Sequence, residues 1–130
     1  MNVRTAKVND ILIKPTKTSP GVSLDFSSGK LTVEGRSLLT NALKFYHPLI
    51  TSLETCNIPT NFEIDFKVDY YNTSSTKCIF LIFKKIRTLF FQGHYIKVNW
   101  YTHEEDEDHL EFANDLENML GLTFNYVYTN

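Results

Sequence analysis

A regular strand pattern followed directly by an apolar helix pattern constrains the fold of this 130-residue chain more than any other feature. Between residues 61 and 71, apolar and polar side chains alternate with the period of two that a half-buried strand needs. The apolar positions of the strand are Phe62, Ile64, Phe66, Val68 and Tyr70. Between residues 74 and 91, apolar side chains recur with helical spacing. Those positions are Ile79, Ile82, Phe83, Ile86 and Phe90. The sequence therefore predicts a strand that leads at once into an amphipathic helix.

Four small polar residues, Asn72, Thr73, Ser74 and Ser75, connect this strand to this helix. Their side-chain oxygens can accept hydrogen bonds from the free amides of the first helical turn, so any of them can serve as the N-cap. The same amides and the helix dipole favour an anion, including a phosphate carried by a hydroxyl at that place. Two interpretations stay open from the residues alone, namely a simple N-cap and a phosphorylation site.

The other elements are predicted by the same periodicities. A short edge strand at Ile11 and Ile13 and a hairpin of residues 22–26 and 31–34 come first. Gly35-Arg36-Ser37 is expected to close the hairpin and cap a helix that runs from Leu39 to the late fifties, with Leu43 on its apolar face. After residue 93 we expect a strand at 95–101, a helix that starts in the acidic run 104–108 and a strand at 124–128. The helical spacing in that last helix predicts that Leu110, Ala113, Leu116 and Leu120 face inward.

The order of these elements predicts the architecture. Strand, helix, strand, helix and strand follow one another through short connections, which implies right-handed crossovers and parallel pairing. The strands alternate instead of being apolar throughout, so the helices should pack on one face of the sheet. The predicted fold is α/β (α+β), a mostly parallel mixed sheet of five to six strands with three main helices on one face. The other face, with Glu63, Asp65, Lys67, Asp69, Lys97 and Asn99, should meet solvent or a partner.

The overall composition predicts one domain in a reducing compartment. The length of 130 residues and an apolar content of 42% suit a single domain, in which residues 1–10 are expected to be a loosely ordered extension. The net charge is −2, so the chain lacks the excess of positive charge that is typical of nucleic-acid-binding proteins. Cys56 and Cys78 show no metal-ligand or disulfide spacing, and no stretch resembles a leader or a membrane span. We therefore expect a cytoplasmic protein.

Signatures of enzymes and metal sites are weak. None of the common hydrolase, nucleotide-binding or metalloprotease motifs occurs. His103 and Glu107, which we place one helical turn apart, could hold a metal, but a solvated helix start explains them better. The acidic run Glu104–Asp108 is either such a helix start or an interface. Tyr71, Tyr95 and Tyr101 are candidate interface aromatics. We predict no cofactor and no metal.

Many short segments of the chain match one known pattern. The most specific segment is Asn72-Thr73-Ser74-Ser75-x-Lys77, at the junction of strand and helix. The others are Thr18-Ser19-Pro20-Gly21-Val22, Gly29-Lys30-Leu31, Glu34-Gly35-Arg36-Ser37, Asn41-Ala42, Phe45-Tyr46-x-Pro48-Leu49, Gly93, Val98 with Trp100 and Tyr101, and the acidic run. Together, from about residue 11 to residue 128, they resemble the SiaC family of bacterial regulatory phosphoproteins. Leu39-Thr40-Asn41 departs from the Pro-Glu-Asn that such proteins often have there.

This resemblance implies a signalling function. It implies a STAS-like fold and a phosphoacceptor at Thr73, with Tyr71, Asn72, Ser74, Ser75 and Lys77 forming the surroundings that partners recognise. The implied partners are a GHKL-type serine/threonine kinase, a PPM-type phosphatase and a diguanylate cyclase. The unphosphorylated form would activate the cyclase, raise cyclic di-GMP and promote aggregation or biofilm.

Two other functions remain as alternatives at this point. One is an anti-sigma-factor antagonist in a partner-switching cascade, which a pull-down with wild type and Thr73→Asp would separate from a cyclase activator. The other is a small enzyme that uses the acidic run with His103 or His109, which metal content and the activity of Glu104→Gln would test. The non-enzymatic phosphoprotein is the prediction.

Overall fold

The computed structural model describes residues 10–129, so most of the expected N-terminal extension lies outside the described residues. It contains six strands and three helices. The strands are β1 (Ile11–Ile13), β2 (Gly21–Asp25), β3 (Lys30–Ser37), β4 (Asn61–Tyr71), β5 (Tyr95–Thr102) and β6 (Phe124–Tyr128). The helices are α1 (Ala42–Thr55), α2 (Thr73–Phe91) and α3 (Glu107–Leu120).

All six strands form one sheet, in the same order as in the sequence. β1, β2 and β3 pair antiparallel, and β3, β4, β5 and β6 pair parallel. One helix connects each pair of neighbouring parallel strands, and each strand is added on the same side of the previous one. Right-handed crossovers therefore place the three helices on one face of the sheet. The predicted mixed sheet with three helices on one face is confirmed, as is the edge position of β1.

The core lies between that face and the helices. Its centre is an aromatic cluster in which Trp100 stacks on Phe66 at 4.5 Å and on Phe124 at 5.4 Å between ring centroids. Phe83 of α2 meets Phe66 edge-on at 5.6 Å. Because these rings come from three neighbouring strands and the central helix, they fix α2 against the middle of the sheet.

A β-bulge at the end of β4 changes which tyrosine points inward. Gly35 pairs with Val68, but its neighbour Arg36 pairs with Tyr70, so Asp69 is an extra residue on β4. Tyr70 is therefore 59% exposed, with the Arg36 guanidinium 4.9 Å above its ring. Tyr71 turns toward the helices and is half-buried. The prediction that Tyr70 faces the core was wrong because the bulge interrupts the alternation.

The start of α1 differs from the prediction in two respects. Gly35-Arg36-Ser37 belongs to β3, and the N-cap of α1 is Asn41, whose side chain accepts a hydrogen bond from the Lys44 amide at 3.3 Å. Leu43 is 54% exposed, although the helical spacing placed it on the apolar face. The helix starts three residues later than expected, and only Leu39 of the preceding loop packs against the core.

The face of the sheet without helices is polar, as predicted, but its centre is closed. Asn99 donates hydrogen bonds to Glu63 at 2.6 Å and to Asp65 at 2.8 Å, and Lys30 forms an ion pair with Asp65 at 3.0 Å. Asp65 and Asn99 are each only 6% exposed. Burial by itself raises the pKa of Asp65, but the hydrogen bonds from Asn99 and Lys30 outweigh it and lower the pKa. Neighbouring side chains therefore cover the Asp65 carboxylate at the centre of this face, whereas Asp69 and Lys97 are exposed.

Candidate functional site

The junction of β4 and α2 has the geometry of a capped helix start. β4 ends at Tyr71, Asn72 is the N-cap, and α2 begins at Thr73. The Asn72 Oδ1 atom accepts a hydrogen bond from the Ser75 amide at 3.1 Å. The predicted strand-to-helix junction is confirmed, and its cap is the first of the four small polar residues.

The three hydroxyls that follow the cap differ in accessibility. Thr73 is exposed, and its side-chain oxygen has no hydrogen-bond partner among residues 10–129. Ser74 is half-buried and donates a hydrogen bond to the Leu39 carbonyl at 2.8 Å. Ser75 is fully buried. Only Thr73 therefore presents its hydroxyl to another protein without breaking a contact.

Ser75 belongs to an internal chain of hydrogen bonds that joins three elements. Its hydroxyl donates to the Ser37 carbonyl at 2.8 Å and accepts from the Ser37 hydroxyl at 2.7 Å. The Ser37 hydroxyl in turn accepts from the Tyr46 hydroxyl at 2.7 Å, and burial raises the pKa of Tyr46 to about 12. The expectation that Ser75 belongs to a partner-binding surface is corrected, because its side chain fixes α2 to β3 and α1 inside the protein.

The loop between β3 and α1 is held against the junction. The Leu39 carbonyl accepts hydrogen bonds from the Asn72 side-chain amide at 2.9 Å and from the Ser74 hydroxyl. The Asn72 backbone amide donates to the Ser37 carbonyl at 3.1 Å. Leu38, between these two carbonyl groups in the sequence, is 38% exposed. The segment Leu39-Thr40-Asn41, at which the resemblance described above is interrupted, lies in this loop.

Tyr71 connects the junction to the start of α3. Its hydroxyl lies 2.7 Å from His109 Nδ1, and His109 Nε2 lies 3.2 Å from the Tyr101 carbonyl oxygen. A carbonyl can only accept, so Nε2 carries a proton. Burial lowers the pKa of His109 and favours the neutral imidazole, although the hydrogen bond to the Tyr101 carbonyl and the charges of Asp106 and Asp69 oppose this effect. In the neutral imidazole Nδ1 carries no proton, so it accepts the hydrogen bond from Tyr71.

Sequence reasoning missed His109 as a structural residue. It is 4% exposed and lies one helical turn before Ala113, which the periodicity did place inward. The prediction chose Leu110, which is only half-buried. The spacing of four residues to Ala113 is the signal that could have identified it.

The neutral state of His109 predicts how stability depends on pH. Its pKa is lowered in the folded protein, so the unfolded chain binds the proton more readily, and stability falls as pH decreases below about 6.5. We expect the urea midpoint to decrease between about pH 7.5 and about pH 5.5, and to decrease less in His109→Gln. The lowered pKa of Asp65 changes the stability only at pH values below the ordinary pKa of 3.8, which is outside this pH window. Equal pH dependence in both proteins would contradict the neutral, buried imidazole.

Lys77 is a basic residue in the second turn of α2, on the exposed side of the junction. It follows Thr73 by four residues, which places both on the same face of α2. It is exposed and has no ion-pair partner in the described part of the chain. Its ammonium group is therefore available to an anion at the start of α2.

The other predicted site residues lie apart. His103 precedes α3 and is not part of it, so the placement of His103 and Glu107 one helical turn apart was wrong. Within residues 10–129 there is no group of three or more side chains that could hold a metal ion. Tyr95 is 80% exposed at the start of β5, and the Lys67 ammonium covers the Tyr101 ring at 4.8 Å. No helix among the described residues is long and apolar enough to cross a membrane.

Comparison with known proteins assigns the family. The model of the SiaC family of regulatory phosphoproteins matches residues 13–129. The chain belongs to this family. An uncharacterised protein of Pseudomonas aeruginosa strain UCBPP-PA14 is 23% identical over 119 residues, which covers 90% of this chain and 94% of that protein.

Solved structures of the SiaC family have the same fold. The crystal structure of apo-SiaC from Pseudomonas aeruginosa superimposes with a TM-score of 0.79 at 22% identity, over 90% of this chain and 97% of that one. The SiaC chain in the crystal structure of diguanylate cyclase SiaD with its activator SiaC gives a TM-score of 0.83 at 22% identity. That comparison covers 92% of this chain and 100% of the other. The mixed α/β architecture is therefore that of SiaC proteins.

Proposed function

We propose that this SiaC family member is a non-enzymatic signalling protein whose contacts with other proteins are switched by reversible phosphorylation of Thr73. One observation supports this most directly: of the three hydroxyls at the start of α2, only that of Thr73 is exposed and free of hydrogen bonds to described residues. A kinase can approach it without unfolding the junction.

The start of α2 can hold the phosphate without a change of fold. A phosphate on Thr73 adds about −1.5 to −2 charges at pH 7 and three acceptor oxygens. Asn72 caps the Ser75 amide, which leaves the amides of the first two helical residues available to the phosphate. Lys77 adds a positive charge one turn further on. The modification therefore acts on what the surface can bind.

The proposed partners are a GHKL-type serine/threonine kinase, a PPM-type phosphatase and a diguanylate cyclase. The unphosphorylated protein binds and activates the cyclase, which raises cyclic di-GMP and favours biofilm or aggregation. Two findings support the cyclase: the chain belongs to a family of regulatory phosphoproteins, and the SiaC of Pseudomonas aeruginosa is the activator in a complex with the diguanylate cyclase SiaD.

Phosphorylation can be tested by mapping the modified residue. With the cognate kinase and ATP, the intact mass should increase by one phosphate group, and fragment spectra should place it on Thr73. Thr73→Ala should abolish the modification. Ser74→Ala is the matched control and should keep it, since Ser74 already donates its hydroxyl to Leu39. A phosphate on Ser74, or modification of Thr73→Ala to the same extent, would overturn the assignment.

A further inference from the structure

β6 is an edge strand without the features that usually protect a sheet edge. It pairs with β5 on one side and with no described residue on the other. Its five residues, Phe124–Tyr128, include no charged residue and no proline. The opposite edge strand, β1, has only three residues and is followed by Lys14 and Pro15. Short length, charge and proline hinder pairing with another chain, so β1 is protected and β6 is open to strand addition.

The hydrogen bonds of the sheet show which backbone groups of β6 face the free edge. The Thr129 amide donates to the Thr102 carbonyl of β5 at 2.8 Å. In a parallel ladder, alternate residues direct their N–H and C=O groups to the same neighbouring strand. Val127 therefore faces β5, whereas Tyr126 and Tyr128 direct their backbone groups away from the sheet. These two residues present two N–H and two C=O groups at the free edge.

Helix α3 covers the beginning of β6 and leaves its end open. The Phe124 amide also faces outward, but it donates to the Glu117 carboxylate at 2.8 Å. The Tyr126 hydroxyl lies 2.8 Å from Asn114 Oδ1 and also contacts Glu117, so its ring is on the helix side of the sheet. The Tyr126 and Tyr128 rings stack at 6.5 Å between centroids, and Tyr128 is 54% exposed. The open end of the edge thus combines free backbone groups with a pair of tyrosine rings.

We propose that this edge pairs with the same edge of a second copy of the chain, antiparallel about a two-fold axis, so that the two six-stranded sheets become continuous. When Tyr126 pairs with the partner's Tyr128, and Tyr128 with the partner's Tyr126, four hydrogen bonds form. This register uses all four outward groups and does not need the Phe124 amide. Val127 then faces the partner's Val127 as the non-hydrogen-bonded pair at the two-fold axis.

The side chains of β6 favour a second copy over an unrelated extended peptide. A two-fold axis sets identical segments against each other, and β6 has no charged residue that would meet its own like charge. The stacked pair of tyrosines meets the same pair of the second copy, which places four rings in one row on the helix side. An unrelated peptide would satisfy the backbone groups without this row. Because one short strand buries little area, we expect a dissociation constant on the order of 10–100 µM.

Self-association can be measured by sedimentation velocity between about 1 and about 500 µM protein, a range that brackets the expected dissociation constant. Val127→Lys sets two ammonium groups opposite each other at the axis and should weaken the dimer by about tenfold or more. Leu12→Lys is the matched control on the other edge strand, where Leu12 is 76% exposed, and should stay within about twofold of wild type. Tyr128→Pro removes one outward N–H and no bond to β5, so it should also weaken the dimer while the urea midpoint reports on the fold.

A disulfide cross-link tests the register. Residues of a non-hydrogen-bonded antiparallel pair have Cα atoms about 4.5 Å apart, a distance that a disulfide can bridge. Val127→Cys should therefore form a covalent dimer with diamide as the oxidant. Leu12→Cys, which carries the same native Cys56 and Cys78, should remain monomeric under the same conditions.

The outcomes decide the inference separately from the proposed function. Wild-type protein that sediments as a monomer over the whole range would overturn it. A dimer that Val127→Lys leaves intact, or equal cross-linking of Val127→Cys and Leu12→Cys, would also overturn it, because the contact would then lie elsewhere. None of these residues belongs to the junction of β4 and α2. The Val127→Lys variant should therefore be phosphorylated on Thr73 like the wild type.

Discussion

Ser75→Asp is expected to lower the free energy of unfolding by at least about 4 kcal/mol, whereas Thr73→Asp should change it by less than about 1 kcal/mol. Ser75 is fully buried, and among residues 10–129 its hydroxyl bonds only to the hydroxyl and the carbonyl of Ser37 in β3, neither of which can neutralise a carboxylate. Thr73 is exposed at the start of α2, where a carboxylate is favoured by the helix dipole. Urea unfolding followed by Trp100 fluorescence measures both changes.

Ser75→Ala is the control for the loss of hydrogen bonds without a buried charge. It removes the bonds with Ser37 and should cost about 1–3 kcal/mol, less than Ser75→Asp. If Ser75→Asp is as stable as wild type, the Ser75 side chain is accessible. The distinction between Thr73 and Ser75 as phosphoacceptors would then be lost.

The chain order and the periodicity of apolar residues were sufficient to predict the architecture. The alternation from Phe62 to Val68 and the helical spacing from Ile79 to Ile86 hold in β4 and α2, because both segments face the same core. A strand–helix–strand unit with short connections is right-handed, so successive units place their helices on the same face of the sheet. The β-bulge at Asp69 was not predicted. A bulge has no distinct residue type in the sequence of β4 and is recognised only from the pairing of β4 with β3.

The sequence predicted that residues 72–75 form the candidate site, but it did not predict which of their hydroxyls is exposed and which is buried. Thr73, Ser74 and Ser75 are similar in size and polarity, so nothing local distinguishes them. Their burial depends on partners about 35 to 40 positions away, namely Ser37 for Ser75 and Leu39 for Ser74. The assignment of Thr73 came from the resemblance to SiaC proteins, and the geometry of the junction supports it independently.

Thr73→Asp is expected to weaken binding of the cyclase by about 100-fold, while Thr73→Ala binds like the unphosphorylated wild type. A surface that fits a neutral hydroxyl must desolvate the carboxylate of Thr73→Asp, which costs several kcal/mol if the charge stays unpaired. Titration calorimetry with the purified cyclase gives the dissociation constants, and GTP turnover gives the extent of activation.

The affinities of wild type, phosphorylated wild type, Thr73→Asp and Thr73→Gln for the cyclase show whether charge causes the loss of binding. Aspartate carries one negative charge, whereas a phosphate carries nearly two and three acceptor oxygens, so phosphorylated wild type should bind more weakly than Thr73→Asp. Thr73→Gln matches the bulk without the charge and should stay within about threefold of wild type if charge rather than size is responsible. Equal losses for Thr73→Gln and Thr73→Asp would instead mean that the partner excludes any larger side chain at the start of α2. The phosphate would then act as a steric block, and Lys77→Ala would leave the effect of phosphorylation unchanged.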